Sequence, residues 1–168
     1  ELLKYNKVCF LACGTSYHAG LFGSIIFTKL GVFDSVKVND ASEFYDYNYE
    51  GKTLYIVLSQ SGETKDVHRA MEIIKSRGGN VLSVVNVVES LIAREALCGV
   101  YINAGSEKAV ASTKSFTNQV IVLCLIAMWW YKNSDAEKNE TKDKLFSDLR
   151  DDLFDLSSAI KETIDDNR

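Results

Sequence analysis

The sequence predicts a doubly wound α/β domain, with helices on both faces of a five-stranded parallel sheet in the flavodoxin-like order 2-1-3-4-5. Three observations carry the prediction. Short β-prone apolar runs alternate along the chain with stretches of helical periodicity. One run, TLYIVL at Thr53–Leu58, is apolar without a break, as in strands buried on both faces of a parallel sheet. The chain has 168 residues, 46% hydrophobic and 25% charged, which suits one globular domain with a real core.

Taken in order, Val8–Cys13 is the first strand, and a helix follows from about Tyr17 to Lys29. Ser35–Asn39 alternates with period two and makes the second strand, while Ala41–Tyr47 suits a short helix. Thr53–Leu58 is the third strand. From Glu63 to Ser76, the residues Val67, Ala70, Met71 and Ile74 recur at helical spacing, and Gly78-Gly79 supplies the stop. Val81–Val85 is the fourth strand, Leu91–Leu97 a short helix and Val100–Ile102 the fifth strand. A long helix runs from about Thr113 to Tyr131. Its Val120–Tyr131 stretch (VIVLCLIAMWWY) is apolar all round and should be buried on several sides, as a central helix or against a partner domain. Asn133–Thr141 is polar and reads as a loop or helix start. Leu145, Leu149, Phe154, Leu156, Ile160 and Ile164 then mark an amphipathic tail. This divides the chain into a domain at 1–133 and a helical tail at 134–168, packing on that domain or leading to a second one.

The composition excludes several classes. A net charge of −4 offers no electrostatic footprint for nucleic acid or an anionic membrane. The longest apolar run, Val120 to Trp130, is well short of the roughly 20 residues that span a bilayer. Four cysteines (Cys9, Cys13, Cys98, Cys124) without CxxC spacing read as buried free thiols in a reducing, cytoplasmic setting. Two histidines and scattered cysteines make no metal-ligand cluster, and no cofactor is expected. The chain opens at Glu1 without methionine, signal or transit segment and reads as a piece of something longer.

In doubly wound sheets ligands sit outside the carboxyl ends of the strands where the order reverses, here between the first and third. That rule selects two loops, Cys13–Ser16 and Ser59–Thr64. The first offers a glycine and two hydroxyls at a helix start. The second (SQSGET) offers three hydroxyls, a carboxamide and a glycine at another. Helix-start amides and hydroxyls can encircle an anion without a fixed cation, and neither loop contains lysine or arginine. Neither G-x-x-x-x-G-K-[ST] nor, after the first strand, G-x-G-x-x-G occurs, so one phosphate on a small molecule fits better than a nucleotide. The plainer alternative is that Ser16 and Ser61 are simple N-caps.

Three stretches then carry a resemblance. ACGTSYHAG (Ala12–Gly20), LSQSGETKD (Leu58–Asp66) and VASTKSFTNQ (Val110–Gln119) resemble the signature segments of the isomerase region of glutamine–fructose-6-phosphate amidotransferases, in order and approximate spacing. CGVYINAG (Cys98–Gly105) extends the match, which covers residues 8 to about 130 and is similar to the first of two sugar isomerase (SIS) halves. The resemblance implies that Ser16, Ser59, Gln60, Ser61 and Thr64 hold the phosphate of fructose 6-phosphate or glucosamine 6-phosphate. Thr15, Val110 and Ser112 would line the sugar. It implies a role in hexosamine biosynthesis, where fructose 6-phosphate and glutamine give glucosamine 6-phosphate and glutamate. The glutaminase nucleophile, the isomerase base and the imine-forming lysine belong to other segments, so the chain holds no catalytic residue and is expected to be inactive alone. Pairing with a second SIS domain, or a homodimer, is the expected assembly.

Glu107-Lys108-Ala109-Val110 departs from the usual E-I-G-V at the third motif, which leaves the exact sugar phosphate open. The alternatives are a ketose–aldose isomerase, an amino-sugar-phosphate deaminase or a regulatory module that senses a sugar phosphate. Cys13 reads as a structural thiol, His18 and His68 as structural histidines without a carboxylate to orient them, and Lys114 as a solvent-facing helix start. Glu63 is expected in the first turn of its helix, serving the dipole.

Overall fold

A single all-parallel sheet runs in the order β2-β1-β3-β4-β5 in the computed structural model, which describes residues 1–108 and 111–167. Its strands are β1 Lys7–Ala12, β2 Ser35–Asp40, β3 Thr53–Ser59, β4 Asn80–Val85 and β5 Cys98–Tyr101. The helices are α1 Thr15–Leu30, α2 Lys65–Ser76, α3 Leu91–Glu95, α4 Lys114–Asn133 and α5 Glu140–Asp166. Among these residues no helix is long and apolar enough to cross a membrane.

Side chains alternate across a strand, so each central strand feeds two cores. Val8, Phe10, Leu54, Ile56 and Leu58 face α1 and α4, where Phe27, Leu30, Leu123 and Trp130 complete one core. Cys9, Leu11, Tyr55 and Val57 face the other way, onto Val67, Met71 and Ile74 of α2 and Ile92 of α3. All of β3 is buried, because a strand lies on either side of it and helices cover both its faces.

The strands are the predicted ones, with small shifts. β5 starts two residues earlier than expected, because Cys98 pairs with Leu82 at the sheet edge, and Ile102 is buried just beyond the strand. Ala41–Tyr47 is two single 3-10 turns, Ala41–Glu43 and Asp46–Asn48, and not one helix. Asp40 starts the first of these by accepting from the Ser42 amide.

One expectation needs correction. The apolar stretch of α4 is buried mainly on one side: Leu123, Cys124, Ile126, Ala127 and Trp130 are buried, while Leu125 and Trp129 are about half exposed at 51% and 47%. Each fully buried side chain contributes about 1.5–3 kcal/mol, so the inner face alone suffices to dock the helix. The tail helix packs only along its first half. Asn139 caps it through the Lys142 amide, Tyr131 donates to Asp143, and Leu145, Phe146, Leu149 and Leu153 reach the core. Beyond them Phe154, Ile160 and Ile164 are exposed.

Candidate functional site

β1 and β3 lie side by side, yet the helices that follow them lie on opposite faces of the sheet. The connections leaving their carboxyl ends therefore diverge and bound a crevice, onto which both selected loops open. The first loop turns at Gly14, whose φ of 59° and ψ of −135° form a backbone conformation that glycine adopts without strain. The Gly14 carbonyl accepts from the Tyr17 and His18 amides and so starts α1. Ser16 is buried, and its Oγ accepts from Gln119 Nε2 of α4 at 3.0 Å.

The second loop is braced from within. Ser59 Oγ accepts from the Gly62 amide at 3.0 Å and shares a 2.8 Å hydrogen bond with Thr64 Oγ1. Ser61 Oγ accepts from the Glu63 amide at 3.1 Å. The loop is also fastened to α3, since Gly62 O accepts from the Ile92 amide and Glu63 Oε1 from the Leu91 amide. Gly62 has φ 67°, and a Cβ there would lie 1.9 Å from Ser90 Oγ, so both conformation and space require glycine.

The third wall is the segment before α4. The Glu107 carboxylate accepts from the amides and hydroxyls of Thr113 and Ser115, at 3.0–3.3 Å, and caps the helix. Desolvation pushes its carboxyl up, but the bonds from Ser115 and Thr113 outweigh it and hold the group below the usual carboxylate value.

These walls enclose a cavity of about 380 Å³. Thr15, Ser16, Gln60, Ser61, Thr64 and Ser112 line it together, with Cys13, Gly14 and Ala111. Ser59 does not line it; it is buried and holds Thr64 and Gly62 in place. Val110 lies outside the described residues. No lysine, arginine or carboxylate is among the described lining residues. Gln60 also opens onto an adjoining polar cavity of about 580 Å³ with Asn86, Asn103, Ser106 and Glu107. Asn86 shapes that cavity by donating to Gly105 O and accepting from the Ala104 amide.

Simple capping does not describe the serines. Gly14 and Thr64 occupy the N-cap positions of α1 and α2, neither with a side-chain cap bond, while Ser16 and Ser61 make the bonds given above. Glu63 precedes α2 and serves the start of α3, not the dipole of α2. His68 has carboxylate partners after all: Glu95 at 3.2 Å on Nε2 and Glu72 at 3.9 Å on Nδ1. Glu95 comes from 27 residues away, beyond any local sequence signal. Cys98 is exposed on the edge strand, against the expectation of burial, whereas Cys9 and Cys124 are buried. Burial, with Asp40 beside it, pushes the Cys13 thiol up to about 11, which makes it a poor nucleophile near neutral pH. Sequence reasoning gave no structural role to Glu107, Gln119, Asn86 or Ser90; it is the fold that brings Gln119 to Ser16 and Ser90 against Gly62.

The SIS domain family matches residues 1–128. A glutamine–fructose-6-phosphate aminotransferase (isomerizing) of Chlorobaculum tepidum is 43% identical over 144 residues, which are 84% of this chain and 23% of that protein. The corresponding protein of Thermococcus kodakarensis is 41% identical over 152 residues, 89% of this chain and 25% of its own length. This chain thus spans about a quarter of the length of the curated relatives it matches. The C-terminal domain of glucosamine-fructose-6-phosphate aminotransferase from Francisella tularensis superposes with a TM-score of 0.79 at 29% identity, covering 94% of this chain and 45% of that one. With the switch-point cavity between β1 and β3 and the family match over most of its length, this chain belongs to the SIS domain family.

Proposed function

We propose that this chain is the sugar-phosphate-binding half of the isomerase region of a glutamine–fructose-6-phosphate aminotransferase, with fructose 6-phosphate as its ligand. The observation that carries the reading is the convergence of two hydroxyl-bearing loops on one cavity without a fixed cation among its described lining residues. A phosphate there is encircled by Ser16, Gln60, Ser61 and Thr64 and by helix-start amides. Ser59 acts beneath them by orienting Thr64. Thr15 and Ser112 face the sugar, and the adjoining polar cavity gives it room.

In this reading the chain binds without turnover. Isomerisation moves a proton between C1 and C2 of an open-chain imine and needs a base within hydrogen-bond reach. Glu63, the carboxylate nearest in sequence, is engaged by the Leu91 amide. The base and the imine-forming lysine come instead from a second SIS-type domain, as the resemblance implies. The half-exposed Leu125 and Trp129 of α4 are the ridge on which such a domain would seat.

Isothermal titration calorimetry of the 168-residue chain tests the reading. Fructose 6-phosphate should bind and unphosphorylated fructose should not. Equal binding of the two would overturn it, as would turnover that Glu63→Gln abolishes.

A further inference from the structure

We infer that Gln119 is a positioning residue for the anion site: its buried carboxamide sets the direction in which Ser16 offers its proton. The inference rests on reading the cavity as a phosphate site. Gln119 sits early in α4, is fully buried, and reaches across 103 positions of sequence to donate from Nε2 to Ser16 Oγ at 3.0 Å. It does not line the cavity, whereas Ser16 does.

A hydroxyl donates one hydrogen bond and accepts two. Because the bond from Gln119 occupies a lone pair, the Ser16 proton stays free for the cavity. Ser24 in the same helix shows the contrasting behaviour, with its proton donated to the Leu21 carbonyl at 2.7 Å. A Ser16 that behaved like Ser24 would present only lone pairs to an anion. In a cavity without lysine or arginine among its described lining residues, every aimed proton counts.

The second amide atom argues that packing is not the reason for Gln119. Its Oε1 is buried with no hydrogen-bond partner among the described residues. An unpaired buried acceptor destabilises a fold, and a methionine of similar length would fill the space without one. Among the described residues, the one side-chain hydrogen bond that the glutamine makes is the bond to Ser16.

The test is a double-mutant cycle on the full chain, read as Kd for fructose 6-phosphate, with inorganic phosphate as a second probe. Gln119→Leu should weaken binding about three- to tenfold, the range of one neutral hydrogen bond. Gln119→Met, closer in length, should do the same and covers the case in which the leucine variant does not fold. In a Ser16→Ala background either change should shift Kd by less than about twofold, since the residue acts through Ser16. A merely structural glutamine would weaken binding equally in both backgrounds, and that result would overturn the inference. An unchanged Kd in a folded Gln119 variant would overturn it too. Failure of the unsubstituted chain to bind either probe would instead count against the phosphate site itself.

Discussion

The two loops that bound the cavity follow neighbouring strands and offer similar chemistry, yet they are held in different ways. The Ser59–Thr64 loop is braced locally: its hydroxyls bond within the loop, and Gly62 and Glu63 fasten it to α3. The Cys13–Ser16 loop has no side-chain bond within itself among the described residues, and the Ser16 hydroxyl is held by α4, 103 positions further along the sequence. The Ser59–Thr64 loop thus carries hydroxyl bonds of its own besides its ties to α3, whereas the Ser16 hydroxyl depends on the helix that reaches it. Glu107 matters for the same reason, because it fixes the start of that helix.

The largest effect should come from Gly62→Ala. The new Cβ meets Ser90 Oγ at 1.9 Å and Ser90 Cβ at 2.4 Å, at a φ of 67°. Overpacking and left-handed strain together should cost about 2–5 kcal/mol in urea unfolding, and sugar-phosphate binding should go with it. Ser90→Gly in the same chain should recover the overpacking share and leave the strain. Gly14→Ala sharpens the contrast, since nothing lies within 4 Å of its Cβ position. Only the backbone penalty of about 1–3 kcal/mol should appear there. Equal losses at the two glycines would show that close packing against Ser90 adds nothing to the cost.

A smaller effect is expected from removing the hydroxyls that face the ligand. Ser61→Ala and Thr64→Ala should each weaken fructose 6-phosphate binding by about 0.5–1.5 kcal/mol, rising toward 3 if the bond serves the charged phosphate. The circular dichroism spectrum should be unchanged. A folded double variant with unaltered affinity would show that these hydroxyls only shape the loop.

The smallest effect concerns Glu107 and pH. Its carboxyl titrates below the ordinary carboxylate value in the folded chain, so its ionised form is favoured by folding. The stability it gives is therefore full above the unfolded-state value of about 4.3 and is lost as pH falls through the lower folded value. Glu107→Gln should flatten this part of the acid decline in Tm between pH 6 and 3, measured by differential scanning fluorimetry. An unaltered decline would mean that the α4 cap does not depend on that charge.

The central sheet was legible because burial on both faces leaves its mark within a single run: TLYIVL can be little else. The two loops were legible because the switch-point rule needs only strand order and the residues that follow. The exposed side of α4 was not, since Leu125 and Trp129 are as apolar as the buried Leu123 and Trp130, and composition does not say which side a domain covers. Nor were the braces. Leu91 lies 28 residues from Glu63, and Ser16 lies 103 from Gln119, so neither pairing has a local spacing to reveal it. Glu107 stood in the sequence as part of an altered motif, and its role as a cap became clear only when Thr113 and Ser115 were seen around it.

The most direct test of the central claim is a titration of the ¹⁵N-labelled chain with fructose 6-phosphate, followed by amide chemical shifts. The account predicts saturable shifts concentrated at Thr15, Ser16, Ser61, Gly62 and Thr64, with none of comparable size on adding fructose. Shifts confined to the α4–α5 surface, or the same pattern with fructose as with its phosphate, would contradict it.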